Sequence, residues 1–151
     1  MSTREYFVLT DMYSTFAVNI VELANPTQTV GEGLFCVTDL TLENEDTYNL
    51  TFILADSDVT AEAENLFDAM CSIRRQLEIR GLLLVCYGAS RNVYPSPLLL
   101  SMGDGDKAYK LRLGQTAKIS DLVSIFEAGL DVFPVTVEEQ KQFYQNWLMS
   151  L

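Results

Sequence analysis

The chain has no histidine. This excludes Ser-His and Cys-His nucleophilic machinery, imidazole acid–base work and His-ligated zinc. Its three cysteines, Cys36, Cys71 and Cys86, form no closely spaced pair, so a thiolate-only zinc site is not expected either. Each lies in an apolar segment, where free Cys behaves as a small hydrophobe, and the set fits a reducing, cytoplasmic setting. No stretch of about 18 apolar residues is present, so no membrane-spanning helix is expected. Neither a basic stretch leading into an apolar run nor an internal repeat is present. No linker separates two domains, and a single domain over residues 1–151 is expected.

The scarcest quantity is positive charge in the first half. Between Glu5 and Ile73 there are thirteen Asp and Glu residues and no Lys or Arg. With Arg4 included, residues 1–73 carry −12, residues 74–118 carry +5 and residues 119–151 carry −4, which makes up the net charge of −11. Affinity for phosphates comes from Lys and Arg, so neither nucleic acid nor an anionic membrane is the expected partner. A cationic protein would be attracted and steered. The plainer reading is that the acids only keep the surface soluble.

What is abundant is apolar: 48% of the chain, enough for a core without staples. Strands are expected at Glu5–Thr10, Thr15–Leu23, Leu34–Leu42 and Tyr48–Leu54. Turns are expected at Asp11-Met12 and Glu43–Asp46, and a break at Ala24-Asn25-Pro26. Leu66, Met70, Ile73 and Leu77 recur at helical spacing, which predicts a long helix over Thr60–Arg80 with Glu62 and Glu64 in its first turn and Gly81 beyond its end. Leu82–Tyr87 reads as a central strand, Gly88–Asp106 as irregular and Ala108–Leu113 as a strand. Two closing helices are predicted, one from Ser120 to about Gly129 and one opened by a Thr136/Glu139 capping box with Phe143, Tyr144, Trp147, Leu148 and Leu151 as its stripe. The expected class is α+β: an antiparallel or mixed sheet of about six strands, one long central helix and two C-terminal helices.

Motifs with chemistry are few. Met102-Gly-Asp-Gly-Asp-Lys107 lacks the Gly-Lys-Ser/Thr ending of a phosphate loop and the ligand count of a calcium loop, so it reads as a tight turn. Glu64 and Asp68 are four apart, the spacing of a solvated helix face. Arg91, on a loop leaving the Leu82–Tyr87 strand, reads either as a functional cation or as a loop anchor.

Arg91-Asn-Val, Pro95-Ser96, Met102-Gly103, Gly105 and Ala108-Tyr109 resemble a motif in small bacterial immunity (antidote) proteins of polymorphic or contact-dependent toxin systems. The ending Asp131-Val-Phe-Pro-Val-Thr-Val-Glu-Glu-Gln, followed by an aromatic helix, is similar to that group as well. The resemblance spans roughly residues 80–150. It implies a non-enzymatic cytoplasmic protein, without cofactor or metal, that blocks a cognate cationic toxin of nuclease type by protein–protein contact, as a monomer or homodimer.

The charge pattern places the expected contact surface on Asp39, Glu43, Glu45, Asp46, Asp56, Asp58, Glu62, Glu64 and Asp68. Two other readings stand beside this one: an acidic secretion chaperone that binds an effector protein, and a small enzyme with a site around Arg91 and Tyr94.

Overall fold

Alternation of apolar and polar side chains builds the first hairpin. A computed structural model describes residues 14–39 and 47–151. Strand β1, Ser14–Glu22, turns Phe16, Val18 and Ile20 inward, and a two-residue turn returns the chain as β2, Asn25–Asp39. The expected break at Ala24-Asn25-Pro26 is thus displaced: the turn is Leu23-Ala24, and Asn25 and Pro26 already belong to β2. Pro26 is tolerated because the register shifts between Val21↔Thr29 and Glu22↔Asn25, so no regular ladder bond is demanded of it.

β3, Tyr48–Ile53, pairs with β2 from Leu34↔Ile53 to Asp39↔Tyr48, the hairpin that alternation predicts. The expected strand Glu5–Thr10, the turn at Asp11-Met12 and the turn Glu43–Asp46 lie outside the described residues. Gly33 sits beneath a ring: a Cβ there would lie 2.2 Å from the Phe52 ring, so this position of β2 excludes any side chain.

The predicted long helix begins late. Residues Asp58–Ala63 form strand β4, paired Tyr48↔Ala63 through Ile53↔Asp58. Val59, Ala61 and Ala63 join the core, while Asp58, Thr60 and Glu62 face outward. Helix α1 spans Leu66–Ile79, started by Asn65, whose side chain accepts from the Asp68 N–H at 2.8 Å. Its stripe Leu66, Met70, Ile73 and Leu77 is buried as predicted. Gly81, at φ +75°, lets the chain leave the helix in the left-handed region.

Strand β5, Leu82–Val85, pairs antiparallel with β1 at the sheet edge. Among the described residues the antiparallel sheet has five strands in the order β4-β3-β2-β1-β5, so the strand expected to be central stands at one end of that order. After a single helical turn at Tyr87–Ala89, a second antiparallel sheet forms from β6, Val93–Tyr94, β7, Lys107–Lys110, and β8, Leu122–Ser124, in that order. The described residues thus hold eight strands in two sheets rather than about six in one.

The remaining differences are local. Gly88–Asp106, expected to be irregular, contains α2, Pro97–Met102, with Ser96 accepting from the Leu99 N–H and Pro97 at the first helical position. The helix expected from Ser120 is one turn at Ile119–Asp121 followed by β8. Pairing with β7 and the bond from the Ile125 N–H to the Asp106 carbonyl override its helical spacing. Ile125 and Phe126 are still buried, and Phe126 stacks on Phe16 at 4.5 Å.

The last helix, α3, spans Val137–Ser150 and equals α1 at 14 residues, so no single helix dominates. Of its expected stripe Trp147 is buried and Phe143 and Tyr144 are half-buried, while Leu148 and Leu151 are exposed. The capping box is formed in both directions: Thr136 Oγ1 accepts from the Glu139 N–H at 3.2 Å, and Glu139 Oε1 accepts from the Thr136 N–H at 3.1 Å. Thr136→Ala removes one half of this box and is expected to lower stability by about 1 kcal/mol, read as a shifted urea midpoint with unchanged slope.

Candidate functional site

Ion pairing inside the molecule decides which acids remain available to a partner. The described residues hold four salt bridges: Arg80–Asp56 at 3.3 Å, Lys107–Asp106 at 3.6 Å, Lys110–Asp131 at 2.7 Å and Arg112–Asp121 at 2.9 Å. Asp56, in the β3–β4 turn, is therefore neutralised by the chain's own arginine. Asp68 accepts from the Asn65 side-chain amide at 2.9 Å. Asp58 and Glu62, on the outward face of edge strand β4, and Glu64, in the bend before α1, are exposed and have no cation within salt-bridge distance among the described residues. Asp39 ends β2 opposite Tyr48, and Glu43, Glu45 and Asp46 lie outside the described residues. The fold thus gathers Asp58, Glu62 and Glu64 along one edge and its approach to α1, and sets Asp56 apart from them.

Arg74, midway along α1, points inward and is 2% exposed. Its Nη1 donates to the Gly88 carbonyl at 3.1 Å and to Gln140 Oε1, and its Nη2 donates to the Val135 carbonyl at 3.0 Å. The Gln140 amide donates in turn to the carbonyls of Gly88, Ser90 and Val93. The Glu78 carboxylate, one turn after Arg74, accepts from the Val137 N–H at 2.9 Å and so caps α3 from outside. These bonds tie α1 and α3 to the loop that leaves β5. Burial lowers the Arg74 pKa, and burial pushes the Cys86 thiol up to about 11, which leaves it an inert core group.

The loop carrying the sequence motif is held by packing. The Arg91 guanidinium lies over the Phe133 ring at 4.7 Å and the Phe143 ring at 5.4 Å, and the Arg91 backbone N–H donates to the Phe133 carbonyl. It therefore anchors the loop, as one of the two sequence readings held. Tyr94 stacks on Tyr144 at 4.2 Å and meets Phe67 edge-on at 5.1 Å, with its pKa raised chiefly by burial. The two residues of the enzyme reading thus both serve as packing contacts. Tyr87 donates to Asp131 at 2.6 Å, which raises the phenol pKa, and the Lys110 and Tyr87 hydrogen bonds hold the Asp131 carboxyl below its ordinary range. An exposed cluster of this kind ties the 129–131 turn to β7.

One feature was not anticipated. An open groove of about 460 Å³ lies between Tyr48, the Glu64-Asn65 bend and the α2 residues Pro97, Leu100 and Ser101. The Gly103–Asp106 turn holds α2 against this junction: the Asp104 carbonyl accepts from the Leu66 N–H at 2.8 Å, and Gly105, at φ +85°, passes so close to Asn65 that a Cβ would lie 2.8 Å from it. The sequence signal was Ser96-Pro97 ahead of Leu-Leu-Leu, a helix start embedded in a loop. Among the described residues no group of His, Cys, Asp and Glu is arranged to hold a metal ion, and no helix is long and apolar enough to cross a membrane. No protein-family model matches the chain, and no curated protein matches it.

Proposed function

We propose that the protein is an antidote that binds a basic bacterial toxin and blocks it by contact, without catalysis of its own. The observation that supports this reading is the exposed carboxylate set Asp58, Glu62 and Glu64, left without internal cations while Arg80, Lys107, Lys110 and Arg112 are engaged elsewhere. Arg80 comes as near as Asp56 and Ser57 in the β3–β4 turn, yet it leaves the three carboxylates beyond them unpaired. A binding surface for a cationic partner needs such carboxylates, because each internal ion pair would weaken the field that steers the partner in. The anchoring roles of Arg91 and Tyr94 are consistent with a scaffold, and the resemblance to immunity proteins gives the partner its class.

The test pairs the protein with a basic toxin encoded beside it. Co-expression is expected to restore growth, and the purified proteins are expected to form a complex that abolishes the toxin's activity. Growth arrest despite full expression of a folded antidote, with no complex, would contradict the reading.

A further inference from the structure

The groove beside α2 combines two chemistries that together define an occupant. Its lining combines the apolar side chains of Pro97 and Leu100 and the Tyr48 ring with the polar side chains of Glu64, Asn65 and Ser101. Helix α2 packs Leu100 against the core but leaves Leu98 66% exposed and Met102 77%. A surface helix of four apolar residues in six, beside a groove of this size, exceeds the scattered apolar residues normal on a surface. The volume falls in the range of about 300–1,000 Å³ typical of ligand-holding clefts.

The electrostatics select the sign of the occupant. The positive end of α1 opens here, yet two of its first donors are engaged: the Leu66 N–H goes to the Asp104 carbonyl and the Asp68 N–H to Asn65 Oδ1. An anion would find few free donors there. A cation finds Glu64 without an internal partner, Asp68 one turn along α1, and Asp104 immediately after the groove residue Gly103. Burial, and then a side-chain hydrogen bond with Asp106, raise the Asp104 pKa.

We infer that this groove is the docking site for an apolar segment of a partner protein that also carries lysine or arginine, the apolar side chains seating against α2 and the cation meeting Glu64. The inference rests on the reading of the protein as a binder of basic partners and gives that reading an anchor: long-range charge sets the approach, and desolvated apolar contact sets how long the complex lasts.

The experiment uses the isotope-labelled full chain and a synthetic helical peptide with leucine on one face and lysine on the other. Saturable shifts at Tyr48, Glu64, Leu100 and Gly103 are expected, and a peptide of the same composition without an apolar face should leave them unmoved. Leu98→Ser and Glu64→Lys, both at exposed positions, should each weaken binding by about tenfold. Glu127→Lys, exposed elsewhere on the surface, should leave it unchanged. Shifts spread over the acidic surface, or equal losses from Glu64→Lys and Glu127→Lys, would mean diffuse attraction and overturn the site. Concentration-dependent shifts at the groove without peptide would assign it to a second copy of the chain and overturn it as well. Seating of the peptide without neutralisation of any toxin would leave the groove and remove the antidote; neutralisation with shifts elsewhere would do the reverse.

Discussion

Arg74→Ala is expected to destabilise the fold by about 3–5 kcal/mol, a large share of the roughly 5–15 kcal/mol that holds a domain together. Among the described residues the guanidinium is the only donor to the Val135 carbonyl, and it satisfies Gln140 Oε1. Its removal leaves two buried acceptors bare, at about 1–3 kcal/mol each, and opens a void beside Gly88 and Leu77. The loss falls at the point where α1, α3 and the 86–93 loop meet, so unfolding should remain cooperative with a lower midpoint. Arg74→Lys, with one point donor in place of a planar fork, should recover only part of the loss. A urea-unfolding difference under about 1 kcal/mol for Arg74→Ala would show that the loop is held without this knot.

Reversing Asp58, Glu62 and Glu64 together to lysine is expected to slow association with the proposed basic partner by about 10- to 1,000-fold at low salt. Stability should move little, because these exposed side chains take part in no internal ion pair. The contrast is Asp56→Lys. Arg80 already offsets that carboxylate at 3.3 Å, so its reversal should slow association less than reversal of Asp58, two residues away. Stopped-flow or surface-based association rates read both variants. Equal effects of Asp56 and Asp58 would mean that internal pairing does not define the surface, and that net charge alone governs approach.

Where local pattern and tertiary pairing agree, the fold was legible. Leu66, Met70, Ile73 and Leu77 make a helix wherever they are placed, and the Leu34–Asp39 and Tyr48–Ile53 segments alternate around a polar turn. Where they compete, pairing won. Asp58–Ala63 alternates with period two, yet Glu62 and Glu64 imitate a helix start, and only the unpaired edge of β3 makes it a strand. Leu122–Ser124 has helical neighbours but is taken by β7. The candidate site was legible as composition and hidden as geometry. A charge count names thirteen acids; it cannot show that Arg80 reaches back to Asp56, or that Arg74 turns inward to carbonyls 14 and 61 residues away in sequence. Such long-range bonds leave no periodic trace. The groove shares that origin, since its walls come from three separate stretches of chain.

The account stands on carboxylates that face outward unneutralised, and the dependence of association on ionic strength measures that property most directly. Between about 0.01 M and 1 M salt the screening length falls from about 30 Å to 3 Å. The association rate of the proposed toxin partner with the native protein is predicted to fall steeply over this range, with the dissociation rate nearly constant and the Asp58/Glu62/Glu64 lysine variant slow and flat throughout. An association rate for the native protein that does not change with salt would contradict the account.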